Sequence, residues 1–225
     1  YNYSQVVQDL TSVTGNVQSL KNTVNELAAA GSTRTDFGLN QAQRVLDGDR
    51  QHGLGGAREE AKQVVVVFTD GEPSTFSNWS GGVAANAVNL AKDLKDDKVT
   101  VYTIGMFEDA DPSDTDGRFN KYMNGVSSNY PNAEVTNWRG DRTQDWDDCK
   151  LGTRVTEGNY YFAADDAEEL ENAFSTIADN VSTSKVAAGA NTVLSDTLSE
   201  FFTFPEGLTG SSDAVTVQYA KVTGQ

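Results

Sequence analysis

Val64-Val-Val-Val-Phe-Thr-Asp70-Gly71 decides how this 225-residue chain is to be read. Five consecutive apolar residues, four of them β-branched, predict a strand buried on both faces, as in parallel sheets. The run stops abruptly at Thr69-Asp70-Gly71. A polar loop from Glu72 to Gly82 follows, then a helix carrying Val83, Ala84, Ala87, Leu90, Ala91 and Leu94 at helical spacing. A second strand is predicted over Val99–Met106, an acidic loop over Glu108–Asp116, and a helix over Arg118–Val126 with Phe119, Tyr122, Met123 and Val126 inward. Upstream, residues 17–30 read as a helix (Val17, Leu20, Val24, Leu27) stopped by Gly31. Another helix runs from Thr35 or Asp36 to Leu46, its first turn capped by the Thr/Asp pair. Downstream, residues 127–158 look irregular. Tyr160-Tyr-Phe162 is a short strand, and Asp165-Asp166 caps a helix with Leu170, Phe174, Ile177 and Val181 on one face.

Alternation of strand and helix implies an α/β layer fold, a doubly wound and mostly parallel sheet with flanking helices. The pattern changes near residue 183. Thr192-Val-Leu194, Phe201-Phe-Thr-Phe204 and Ala214-Val-Thr-Val-Gln-Tyr219 suggest short strands, so 1–182 is expected to form one domain and 183–225 the start of a β-sandwich-like stalk.

Composition narrows the function. Formal net charge is −16, from 33 acidic and 17 basic residues; such a chain repels nucleic acid and anionic membrane, and both are discounted as partners. No segment approaches the apolar length of a membrane span. The single cysteine, Cys149, has acidic neighbours that disfavour a thiolate, and with one histidine, His52, the chain makes neither a zinc site nor a Cys/His dyad. In an open parallel sheet, ligands bind beyond the carboxyl ends of the strands. Asp70 stands at such an end, although Asp-Gly is equally a simple turn. The hydroxyl-rich loop Gly31-Ser-Thr33-Arg-Thr35 precedes a helix and is a natural neighbour for Asp70. One carboxylate with hydroxyls suits a hard cation such as Mg²⁺. Glu72 reads as a solvated loop acid.

Three stretches together resemble a von Willebrand factor type A domain over residues 1–182: Gly31-Ser-Thr33-Arg-Thr35-Asp-Phe-Gly-Leu39, Val64–Pro73 and Val99-Thr-Val-Tyr-Thr-Ile-Gly105. The resemblance implies a metal-ion-dependent adhesion site built from three loops, in which Thr33 matches the threonine of the second loop and Asp70 the aspartate of the third. It implies Mg²⁺, or Mn²⁺ or Ca²⁺, with an open position for a carboxylate from a partner. The first loop of the family, Asp-x-Ser-x-Ser after a buried strand, has no counterpart here; Asp111-Pro-Ser-Asp-Thr115 has a similar spacing but follows the wrong strand. The expectation is therefore that the family's first strands, with that loop, precede Tyr1, and that without them the Val64–Phe68 strand has an unpaired edge and an exposed apolar face.

Gly105-Met-Phe-Glu-Asp-Ala-Asp-Pro-Ser-Asp114, Val126–Pro131 and Tyr160-Tyr-Phe-Ala-Ala164 look most like the A domains of Gram-positive surface and pilus-tip adhesins. That likeness implies an extracellular, cell-wall-anchored surface or pilus protein, and the sequence offers no catalytic set, so no enzymatic activity is expected. Its partners would be a host or extracellular matrix protein and other pilus or surface subunits. It also raises isopeptide bonds at Lys185 or Lys221, for which a solvated lysine is the simpler reading. A structural scaffold without metal-dependent binding is the alternative. A hydrolase using Asp70 as nucleophile lacks an accompanying histidine or basic pocket. Arg139-Gly-Asp141 spells an integrin-binding tripeptide, with a plain loop as the simpler reading. Trp138 and Trp146, nearby in a polar stretch, are either packing anchors or part of a binding surface.

Overall fold

The computed structural model describes residues 4–182 apart from 29, 30, 59 and 77. The chain divides into two units, Tyr1–Ser184 and Lys185–Gln225, and the described residues belong to the first. The predicted stalk strands, Lys185 and Lys221 lie outside the described residues.

The elements run α1 (Val17–Asn25), α2 (Thr35–Asp47), β1 (Val64–Thr69), β2 (Ser74–Thr75), β3 (Asn78–Trp79), α3 (Gly81–Asp96), β4 (Thr100–Gly105), α4 (Arg118–Val126), β5 (Glu134–Val135), β6 (Cys149–Lys150), β7 (Tyr161–Ala163) and α5 (Ala167–Ser182). A three-stranded sheet of order β1-β4-β7 forms the middle layer, and both of its strand pairs are parallel. Central β4 is buried on both faces because its alternate side chains go to different cores. Val101 packs with Ala84, Ala87, Val88 and Leu94 of α3, Leu39 of α2, and Tyr122, Met123 and Val126 of α4. Tyr102 and Ile104 pack with Ala173 and Ile177 of α5. With helices on both sides of a parallel sheet, the predicted α/β layer fold is the one observed.

β1 departs from the two-sided burial that its apolar run predicts and shows the unpaired edge and exposed apolar face that were also expected of it. It pairs only with β4 among the described residues, so it is an edge strand. Val65 and Val67 pack toward the α2–α3 core, and Val64 reaches the α5 core. Val66 and Phe68, on the α5 side, stay open to solvent, with Phe68 48% exposed. The run is uninterrupted, yet only part of it is covered: hydrophobicity shows what a strand can bury, not how many neighbours it finds. A cavity of about 340 Å³ runs along this strand, lined by Leu39 and Ala42 of α2 and by Val65, Val67 and Phe68.

Local signals predict some boundaries and miss others. α4 has its predicted ends. α5 starts with the expected acidic cap: Glu169 N–H donates to Asp166 Oδ1 at 2.9 Å, and Asp165 N–H donates to Glu169 Oε2 at 2.8 Å, reciprocal bonds in the manner of a capping box. α2 starts without a side-chain cap. Asp36 instead turns inward, 3% exposed, and accepts two bonds from Arg34, at 2.9 and 2.8 Å. α1 ends at Asn25, short of the predicted residue 30, and buries none of its apolar stripe. The irregular stretch holds the small β5–β6 hairpin. Asn89 of α3 anchors it to the core through both halves of its amide, donating to Val135 O at 3.1 Å and accepting from Val135 N–H at 2.9 Å.

Candidate functional site

The carboxyl end of β1 is shaped by its last residue. Thr69 Oγ1 donates to Gly71 O at 2.8 Å and accepts from Gly71 N–H at 3.2 Å. Those bonds close a tight turn on the threonine. The Asp-Gly turn is real, but the side chain that bonds its backbone is the Thr69 hydroxyl and not the Asp70 carboxylate. The Asp70 side chain is exposed and makes no hydrogen bond or ion pair among the described residues. The main chain is held from beneath by the parallel ladder, which Met106 N–H extends to Thr69 O at 2.9 Å.

The Thr33 loop docks onto this turn. Ser74 N–H donates to Thr33 O at 3.0 Å, Thr33 N–H donates to Ser74 Oγ at 3.1 Å, and Phe76 N–H donates to Ser32 Oγ at 2.9 Å. Thr33 Oγ1 comes within 3.4 Å of the point where a side chain at Gly71 would begin, ordinary van der Waals distance, so the two loops lie side by side. The predicted juxtaposition of Thr33 with the Asp70 turn is therefore present. It depends on Ser32 and Ser74, whose hydroxyls accept from the backbone N–H groups of Phe76 and Thr33, about forty residues away in sequence, and so leave no local signal.

Other acids nearby are already engaged. Glu72, expected to be a solvated loop acid, pairs with Arg118 through both oxygens, at 2.8 and 3.0 Å. Arg118 also lies over the Trp79 ring, 4.6 Å from its centroid. In the loop after β4, Asp111 accepts from Ser113 N–H and Oγ at 2.8 and 2.7 Å, and these bonds hold its carboxyl below the usual range. Asp114 accepts from Gly117 N–H at 2.8 Å and from Asn120 Nδ2 at 3.1 Å and is lowered in the same way, Gly117 contributing most. The acids of the segment Asp111–Thr115 are thus engaged locally, by Ser113, Gly117 and Asn120, and the segment stands after β4, not after a strand preceding β1.

Cys149 is not in an open polar loop. It sits in β6, buried in the α3–α4 core, and burial pushes its thiol up to about 11. Desolvation, rather than the acidic neighbours in sequence, is what disfavours the thiolate. His52 pairs with Asp49, Nδ1 to Oδ2 at 2.8 Å. The two loop tryptophans part company: Trp146 packs edge-on against Trp79 at 5.4 Å, while Trp138 is 84% exposed beside Arg139. Arg139-Gly-Asp141 forms an exposed turn around Asn137, whose Oδ1 accepts from Arg139 and Asp141 N–H.

As a metal set, Thr33 and Asp70 fit in kind and are few in number. A hydroxyl and an unengaged carboxylate suit a hard cation that keeps several waters. Among the described residues no group of three or more His, Cys, Asp or Glu converges.

The fold and the docked Thr33 and Asp70 loops agree with one family. The von Willebrand factor type A domain family matches residues 1–140, and the chain belongs to it. Domains of this family are adhesion or protein-interaction modules. The structure continues the same layers past the matched segment, through β7 and α5. Among curated proteins and solved structures, none matches the chain. No helix of the described residues is long and apolar enough to cross a membrane.

Proposed function

We propose that this chain is a cell-surface adhesion module that binds a host or matrix protein through the carboxyl end of its sheet, with a divalent cation, Mg²⁺ or alternatively Mn²⁺ or Ca²⁺, held in part by Thr33 and Asp70. The observation that carries this reading is the unengaged Asp70 carboxylate, presented on a turn that Thr69 closes and that the Thr33 loop buttresses. A carboxylate kept free of partners beside engaged neighbours is available to an external ligand. The cation, when bound, offers a coordination position to a carboxylate of the partner. The chain's own residues position it and require no covalent chemistry. The remaining ligands would come from water and from a loop at the end of a strand pairing with the free edge of β1, whose exposed Val66 and Phe68 support such a neighbour. The setting proposed is extracellular, on a Gram-positive wall or pilus, with other surface subunits as further partners.

The test is binding of the full chain to immobilised collagen, fibrinogen and fibronectin, in Mg²⁺ and in chelator. Asp70→Ala is expected to abolish chelator-sensitive binding while leaving stability within about 0.5 kcal/mol, as for an exposed side chain without partners. Binding that ignores both chelator and Asp70→Ala would overturn the metal-dependent reading and leave a structural scaffold.

A further inference from the structure

Phe76 stands where the chain's turn chemistry asks for something else. Strands β2 and β3 pair in register, Ser74 with Trp79 and Thr75 with Asn78, and Phe76 follows β2 directly, at the first position of the two-residue connection between them. Such loops use positive φ at their first position, which is why Asn, Asp or Gly is preferred there. Here that position is a phenylalanine with φ of +64°. An L-residue with a bulky side chain pays for this conformation in steric strain. The ring recovers nothing by burial, since Phe76 is 85% exposed, the most exposed large apolar side chain among the described residues.

Single exposed apolar residues are ordinary; two further facts set this one apart. The strain is retained although several smaller polar residues would remove it, and strained residues concentrate at functional sites. The hairpin is also bolted to the candidate site. Phe76 N–H is held by Ser32 Oγ at 2.9 Å, and Ser74 exchanges two bonds with Thr33. The ring is thus projected into solvent from a support shared with the proposed metal loop.

We infer that Phe76 is an apolar anchor of the partner interface, inserting into a hydrophobic pocket on a protein whose acidic side chain meets the Thr33–Asp70 site. The inference rests on the adhesion reading above and adds the chemistry of the partner: an apolar pocket adjoining a carboxylate. Aromatic anchors seated in pockets carry a large share of binding energy in protein interfaces. The two-bond clamp between Ser74 and Thr33 limits how far ring and metal loop can move apart, which reduces the ordering cost of engaging both.

The experiment uses the full chain, the same immobilised collagen, fibrinogen and fibronectin, and the variants Phe76→Asn, Phe76→Tyr and Asp70→Ala. Phe76→Asn removes the ring and tolerates positive φ. It is expected to keep or raise the melting temperature and to weaken binding by about tenfold or more, while Phe76→Tyr retains binding. A lower melting temperature for Phe76→Asn would assign the ring to the fold and overturn the inference. So would chelator-sensitive binding that Phe76→Asn leaves unchanged, although the metal reading would then stand. Binding that depends on Phe76 but ignores chelator supports the anchor and overturns the metal reading. Failure to bind any of these proteins overturns both.

Discussion

Lys95 shows what one buried polar residue can do in a largely apolar interior. It projects from α3, is buried, and donates from Nζ to Gly125 O at 2.8 Å, Tyr130 O at 3.0 Å and Ser127 O at 3.2 Å. Those carbonyls lie at and beyond the end of α4, where acceptors lack helical partners. Burial, with Lys92 nearby, lowers the Lys95 ammonium to about 7 from its ordinary 10.5. Between those values the unfolded chain holds a proton that the folded chain does not. The contribution of Lys95 to stability therefore rises with pH from about 7 to about 10.5 and is flat on either side. Lys95→Met leaves three carbonyls short of a donor and is expected to cost about 2 kcal/mol or more. Denaturant titrations at several pH values should show that this variant also lacks the alkaline rise. The nearness of the Thr33 loop to the Asp70 turn was legible because the strand with its Asp-Gly end and the hydroxyl-rich loop are each contiguous motifs. Phe76 was not, because its significance is a backbone angle and an exposure.

At the scale of elements, β1 is the informative case. An edge strand presents unpaired N–H and C=O groups, and proteins usually protect such edges with charge, proline or a bulge. Val64–Thr69 has no charged residue and no proline, and its exposed face carries Val66 and Phe68. The isolated chain is expected to self-associate along this edge on concentration or mild heating. Phe68→Lys places a charge on the exposed face, should shift the melting free energy by no more than about 0.5 kcal/mol, and should reduce association seen by sedimentation velocity or light scattering. Unchanged association would place the sticky surface elsewhere. α1 carries the complementary lesson. Its period is helical, but Val17 and Val24 remain exposed. Periodicity identifies a face without guaranteeing a neighbour for it, and most helical stability comes from such packing.

For the whole molecule, the sheet divides the interior into two cores, and Cys149 lies in the larger of them. With its thiol protonated and buried, it should react with an aromatic disulfide reagent only when that core opens. The labelling rate measured against denaturant concentration is then expected to follow global unfolding; rapid labelling under native conditions would show that β5 and β6 open separately. The sequence by itself determined the order and type of the main elements, the parallel α/β layers, the bounds of α4 and the cap of α5. Each of these follows from spacing and turn chemistry within about twenty residues along the chain. Tertiary structure alone decided that Cys149 is core, that Glu72 is spent on Arg118, and that Ser32 and Ser74 lock the Thr33 loop to the β2 segment beside the Asp70 turn. These depend on which residues, often forty or more apart in sequence, meet in space, and no short-range pattern of hydrophobicity or charge records such a meeting.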